Sequence, residues 1–277
     1  MRGLWPSLRR ARAFIVRDFQ LEKSYRLAFF LRILSVLAVV TTFFFVSRIF
    51  TGGSECPCAS SPFAQWRDPL AAWIIGLAVL NYFMTGFSTL ANAIRSEQTQ
   101  GTLEGVLMTP ISIMSLITSS SAWGFVQATF FSSLYFVFGW LLFGVRFRGS
   151  FLLALFLLLL TTLVLASLGI LSASFAVVFK RGDPFAVFLG TGSALFSGVF
   201  FPTQLLGGGF SQISRILPPT YGLDGIRRVL IEGQNINDVR EPLLTLLAFL
   251  LVLFPFSVWV FSRAVRRAKR EGSLIQY

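Results

Sequence analysis

Histidine is absent from this chain of 277 residues, cysteine occurs twice, and lysine occurs three times. The missing histidine removes the commonest general base and the commonest metal ligand together. None of the three lysines (Lys23, Lys180, Lys269) follows a glycine. A phosphate-cradling loop ending Gly-Lys-Ser/Thr is therefore missing, which excludes ATP hydrolysis by this chain. Two cysteines make neither a disulfide scaffold nor a metal site. Charge is scarce too. Charged residues form 13% of the chain, about half the share of a soluble domain.

Apolar residues fill the space that charge leaves. They make up 55% of the chain, with 32 phenylalanines and a mean hydropathy of +0.72. A soluble fold of this size has too little interior to hide that much apolar surface. Disorder and fibre are excluded by the same numbers. The reading is an all-α polytopic membrane protein. Without a Gly/Ser-rich or Pro-rich linker and without an internal repeat, residues 1–277 read as a single transmembrane domain. No cleavable signal peptide is expected, because the first apolar run starts only near residue 27 and is too long for one.

The net charge of +12 comes from 24 basic residues, 21 of them arginine. Many cluster at the chain ends, where anionic lipid headgroups are the expected partner. Nucleic-acid binding would need a basic face on a soluble element, and none is visible. Gaps between charges locate the spans, since a charge at the bilayer centre is costly and a crossing takes about 20 residues. They give six: 27–50, 69–94, 116–145, 150–178, 185–203 and 242–262. The uncharged run 105–145 is long enough to raise a seventh, but parity argues against it. Arg2, Arg9, Arg10, Arg12 and Arg17 precede the first span, and Arg263, Arg266, Arg267, Lys269 and Arg270 follow the last. Both termini thus read as cytoplasmic, which demands an even number.

Three segments between or before the spans carry pattern. Residues 1–26 place Leu4, Leu8, Ala11, Ile15 and Phe19 along one helical stripe, with Arg9, Arg10 and Arg17 opposite. That is a cytoplasmic interfacial helix, either a topology anchor or an element coupled to gating. Residues 95–115 contain Gly101 and Pro110 as punctuation. Between them Thr102 with Glu104, and Leu103 with Leu107, suggest a short capped amphipathic helix suited to protein docking. Residues 204–241 follow Pro202, contain Gly207-Gly208-Gly209 and Pro218-Pro219-Thr220-Tyr221, and continue to Asp224, Arg227, Arg228 and Glu232. Asp224 with Arg228, and Arg228 with Glu232, are spaced to pair along a helix. Backbone broken at membrane depth must be buried in protein or line a cavity. Two readings follow: a pair of short helices re-entering the outer leaflet, or a surface amphipathic helix.

Two of these segments resemble the type-2 ATP-binding-cassette (ABC) transporter permeases, membrane subunits of drug and polysaccharide exporters. Gly101-Thr-Leu-Glu-Gly-Val-Leu-Met-Thr-Pro110 is similar to that family's cytoplasmic coupling segment. Phe196-Ser-Gly-Val-Phe-Phe-Pro202, continuing through Ile216-Leu-Pro-Pro-Thr-Tyr221 to Gly233, is similar to its signature between the last two spans. The resemblance implies six spans, an interfacial helix and a re-entrant helical pair between spans five and six. It implies two permeases, a second copy or a paralogue, each docked on a separate ATPase subunit that binds ATP and magnesium. By position, Glu97, Gly101, Thr102, Leu103, Glu104 and Pro110 would meet that ATPase. The turn Lys180, Arg181 and Asp183 would make a second contact. Pro202, Pro218, Pro219, Tyr221, Asp224, Arg227 and Arg228 would form the re-entrant exit element. The residues before Gly101, Ser-Glu-Gln-Thr-Gln, carry fewer charges than the family pattern.

Two other classes compete with transport by a partner's ATP. A membrane transferase needs a nucleophile with a base; here no acidic residue lies in an inferred span, and Ser119 to Ser121 have no base beside them. An ion-coupled carrier or channel needs ionisable groups near mid-membrane. Apart from Arg48 at the outer end of the first span, Arg32 is the one charge inside a span, near its cytoplasmic end and within snorkelling reach of the headgroups. Asn81 reads as a helix-to-helix hydrogen bond. Cys56 and Cys58, in the first external loop, are too close for an unstrained bridge, leaving a bond across a dimer or free thiols. Aromatics such as Phe43 to Phe45, Phe130, Phe131, Tyr135 and Trp140 read as belt and packing before substrate stacking. The cargo stays open among drugs, lipids and lipid-linked glycans.

Overall fold

A computed structural model describes Gln20 and residues 25–51, 68–99, 113–179, 184–203, 212, 214 and 216–270. The described residues are helical and contain no strand. Seven helices follow in order: α1 Arg26–Thr51, α2 Pro69–Thr99, α3 Ile113–Phe143, α4 Phe151–Phe179, α5 Pro184–Phe196, α6 Pro218–Arg227 and α7 Arg240–Arg270. A π-helical turn, Arg228–Glu232, continues α6. Among these, five segments are long and apolar enough to cross a membrane: Arg26–Ile49, Pro69–Ala93, Ser121–Phe143, Phe151–Phe175 and Arg240–Arg267.

The starts have local causes. Asp68 accepts the Ala71 amide at 3.1 Å, and Pro69 fills the first helical position of α2, where its missing N–H costs nothing. Ser150 does the same for the Leu153 amide of α4 at 3.4 Å. Pro218 and Pro219 open α6.

α2 and α4 form the centre. Their window residues are 78% and 44% buried, against 11% for α1 and α7, so the outer helices leave most of their apolar surface facing outward. Three apolar clusters set the directions of the helices. Leu90 and Ala91 of α2 meet Ile170, Ala173 and Val177 of α4 and Phe261, Ala264 and Val265 of α7 at one end. At the other end Ile75 and Val79 join Leu157 and Leu160, Leu223 and Ile226 of α6, and Leu246 of α7. Val36 and Val40 of α1 pack on Leu70 and Ile74 of α2 and Phe131 of α3. Helices α2, α4 and α7 therefore run parallel, with their C-terminal ends together.

In a bilayer, lipid tails match side chains in apolarity, so helices associate by close packing and small residues at the contacts. Gly169 of α4 lies against the Gly86 carbonyl of α2, where any Cβ would overlap that oxygen. Gly222 of α6 lies in the same way against Thr161 of α4.

Two boundaries differ from the charge-gap reading. α2 continues through Thr99, so Glu97 stands on its last turn and not in a connector. The span read at 185–203 is helical only over the 13 residues of α5. That is about 20 Å, shorter than a hydrocarbon core of about 30 Å. The chain then turns through residues 197–200, with Gly198 at φ 83°. That left-handed conformation suits glycine and ends a helix. Residues 204–211, the expected first half of the re-entrant pair, lie outside the described residues, as do residues 1–19 of the interfacial helix and both cysteines.

Gly169→Val should drive α2 and α4 apart at a cost of about 1–3 kcal/mol. Thermal melting of the detergent-purified variant should show a lowered midpoint; an unchanged midpoint would mean that the two backbones do not touch there.

Candidate functional site

The break after α5 leaves the carbonyls of residues 198–200, just beyond the helix, without helical partners. Arg227, on α6, supplies them. Its Nη1 donates to the Gly198 carbonyl at 2.7 Å and its Nη2 to the Val199 carbonyl at 3.1 Å. The same guanidinium reaches the Ala72 carbonyl on α2 from Nη2 at 2.9 Å and from Nε at 3.3 Å. Trp73 takes the next carbonyl: its indole N–H donates to Phe200 at 2.8 Å. One planar fork thus joins α6, the turn after α5 and the first turn of α2, a geometry that lysine cannot copy. Gly76 makes room for it. A Cβ there would stand 2.9 Å from the Val199 oxygen and 3.1 Å from Arg227 Nη2. Arg227 lies outside the five long helices. Burial lowers its pKa to about 9 and the nearby Asp224 carboxylate opposes the shift, so it is cationic at neutral pH.

The rest of this end is built around that fork. Asp224 pairs with Arg228 at 2.8 Å, half-exposed. The expected Arg228–Glu232 pair does not form among the described residues; Glu232 accepts from Gln234 at 2.8 Å instead. The spacing rule assumes an α-helix, and residues 228–232 take the wider π turn, which changes the register. Gly233, at φ 73°, closes it. The Arg148 amide donates to the Leu230 carbonyl at 2.9 Å, tying the α3–α4 connection to the same turn. Pro202, Pro218 and Pro219 are buried, and the Tyr221 ring lies 6.5 Å from Phe249 of α7.

The opposite end carries the expected docking residues. Glu97 is on the final turn of α2. Gly101, Thr102, Leu103, Glu104, Pro110, Lys180, Arg181 and Asp183 lie outside the described residues. Their flanks are fixed all the same, because α2 and α4 both leave the bundle beside α7 at this end.

Between the two ends the polar groups are spent on packing. Asn81 donates to the Ala128 carbonyl and to the Ser132 hydroxyl, each at 3.1 Å. Tyr82 donates to Thr129 at 2.8 Å. Arg32, which the sequence reading turns toward the headgroups, rests its guanidinium 4.0 Å over the Phe131 ring of α3. Among the described residues no group of three or more His, Cys, Asp or Glu is placed to hold a metal.

Sequence reasoning missed Trp73, Gly76 and Ala72. Gly76, a helix-breaking residue inside an apolar run, was the available signal.

Arg227→Met should leave the Gly198 and Val199 carbonyls unpaired at about 1–3 kcal/mol each. Trp73→Phe, which frees only the Phe200 carbonyl, should cost less. The order of their melting midpoints, Arg227→Met below Trp73→Phe below wild type, is the check; equal midpoints would contradict the fork's role.

The model of the ABC-2 type transporter family matches residues 11–231, a stretch that includes the first segment named above, the second as far as Ile231, and helices α1 through α6. No curated protein matches the chain. A match over that much of the chain, on an all-helical membrane bundle, places it: this protein belongs to the ABC-2 type transporter family.

Proposed function

We propose that this chain is the membrane-spanning subunit of an ATP-driven exporter. In this reading it forms half of the translocation path, with a second copy or a paralogue as the other half. A separate ATPase subunit binds ATP and magnesium and docks on residues 95–115, with Glu97, Gly101, Thr102, Leu103, Glu104 and Pro110 in contact. The turn at Lys180, Arg181 and Asp183 is a second contact. The cargo is a drug, a lipid or a lipid-linked glycan. The observation that carries this reading is the family match across 11–231, supported by the convergence of the α2, α4 and α7 C-terminal ends.

Six crossings are supported by the course of α5. Gly190 faces the Met84 sulfur of α2, and nine residues later Val199 meets the fork beside Ala72. Helix plus turn therefore follow α2 over about 18 Å of its length. With α5 as the fifth crossing, both termini lie in the cytoplasm of a multi-pass cell-membrane protein. The clamp end then faces outward, and α6 belongs to an element re-entering the outer leaflet.

Power arrives through the docking segment, so Glu104→Arg, or replacement of Gly101 and Thr102, should uncouple transport without unfolding the bundle. Co-purification with the ATPase and its stimulated turnover should both fall about tenfold or more, while the chain alone hydrolyses no ATP. Unchanged association and turnover would reject the docking assignment.

Orientation has its own check. In a cysteine-free background, single cysteines at Gln212 and Asn235, both exposed, should react with an impermeant maleimide added outside intact cells. Reaction only after the cytosolic face is opened would invert the layout.

A further inference from the structure

Arg32 lies six residues into α1, about 9 Å along the axis from Arg26. The ring under its guanidinium, Phe131, lies 12 residues before the end of α3, about 18 Å below that end. The cation is therefore inside the span, in the half nearer the start of α1, which the proposed layout turns toward the cytoplasm. It is exposed, and its apolar neighbours Leu31, Leu34 and Phe130 are exposed with it, at 52%, 47% and 42%.

Among the described residues the charge has no protein counter-ion. Within the five span segments the only carboxylate is Glu241, in the first turn of α7 at the clamp end. Among the described residues the guanidinium has one hydrogen bond, a long one of 3.4 Å to Gln127 Oε1. An arginine has five N–H donors, so its fork is largely open. A cation in hydrocarbon without a partner is costly, whereas a bidentate phosphate would satisfy both its charge and its geometry.

We infer that Arg32, backed by Phe131 and flanked by Gln127, binds the phosphate of an anionic lipid that enters from the inner leaflet between α1 and α3. The apolar residues around the cation cover the lipid's first chain carbons. The inference needs α1 and α3 to cross a bilayer and does not depend on ATP coupling, so it can fail while the exporter reading stands, and the reverse.

The test uses the full chain in nanodiscs and counts co-purifying lipid by native mass spectrometry. Phosphatidylglycerol is titrated against phosphatidylcholine. Wild type should retain phosphatidylglycerol preferentially. Arg32→Gln should weaken that retention about tenfold, and Arg32→Lys, which keeps the charge but loses the fork, should fall between. Gln127→Glu keeps Arg32 but offers it a carboxylate, and should also expel the lipid. This variant decides the matter if Arg32→Gln does not fold. Arg146→Gln, at the clamp end, should change nothing. Equal retention in wild type and in Gln127→Glu, no preference over phosphatidylcholine, or displacement by millimolar inorganic phosphate alone would each overturn the inference.

Discussion

The fork of Arg227 against three backbone carbonyls is the contact on which the clamp end of this protein depends. Helix α5 ends after 13 residues, and the turn that follows it presents bare carbonyls. Water would satisfy them in a soluble protein; in hydrocarbon each bare group costs several kcal/mol. The guanidinium removes that cost at Gly198 and Val199 and, by bonding Ala72 as well, anchors the turn to α2. Other details serve the same contact. Gly76 has no Cβ in the way, Gly198 takes the left-handed turn, and Trp73 reaches the next carbonyl. The prolines at the head of α6 start the short helix that carries Arg227 into place.

A fixed clamp at one end leaves room for movement at the other. The long helices touch through small residues such as Gly86 and Gly169, where backbones meet closely with little side-chain interlocking. Between them, hydroxyl and amide pairs such as Asn81 with Ser132 set α3 against α2. In the exporter reading, α2 is the proposed route from docking segment to exit, since it ends beside that segment and carries Ala72 of the fork near its start.

Much of this was legible in the residues, for reasons that are themselves physical. Membrane spans are bounded by charges because hydrocarbon rejects them, so α1, α2, α3, α4 and α7 could be read from the gaps. Asn81 had few choices inside a membrane and took the expected one. Asp224 and Arg228 pair because four residues stack on one helix face. The misses also have causes. Where α5 ends depends on Arg227, 28 and 29 residues from the carbonyls it binds, and on Trp73 of α2, 127 residues from Phe200, and no local pattern encodes those distances. The π turn at 228–232 broke a spacing rule that holds for α-helices. Phe131, the ring under Arg32, is on another helix, and spacing along α1 does not show it.

Solid-state NMR on the chain in lipid bilayers, with ¹⁵N-arginine and carbonyl-¹³C glycine and valine, reports the central contact without altering a residue. The fork predicts direct polarisation transfer from the Arg227 guanidinium nitrogens to the carbonyl carbons of Gly198 and Val199, whose oxygens lie 2.7 and 3.1 Å from them. Guanidinium signals with no transfer to either carbonyl would mean that the broken span is held by something else.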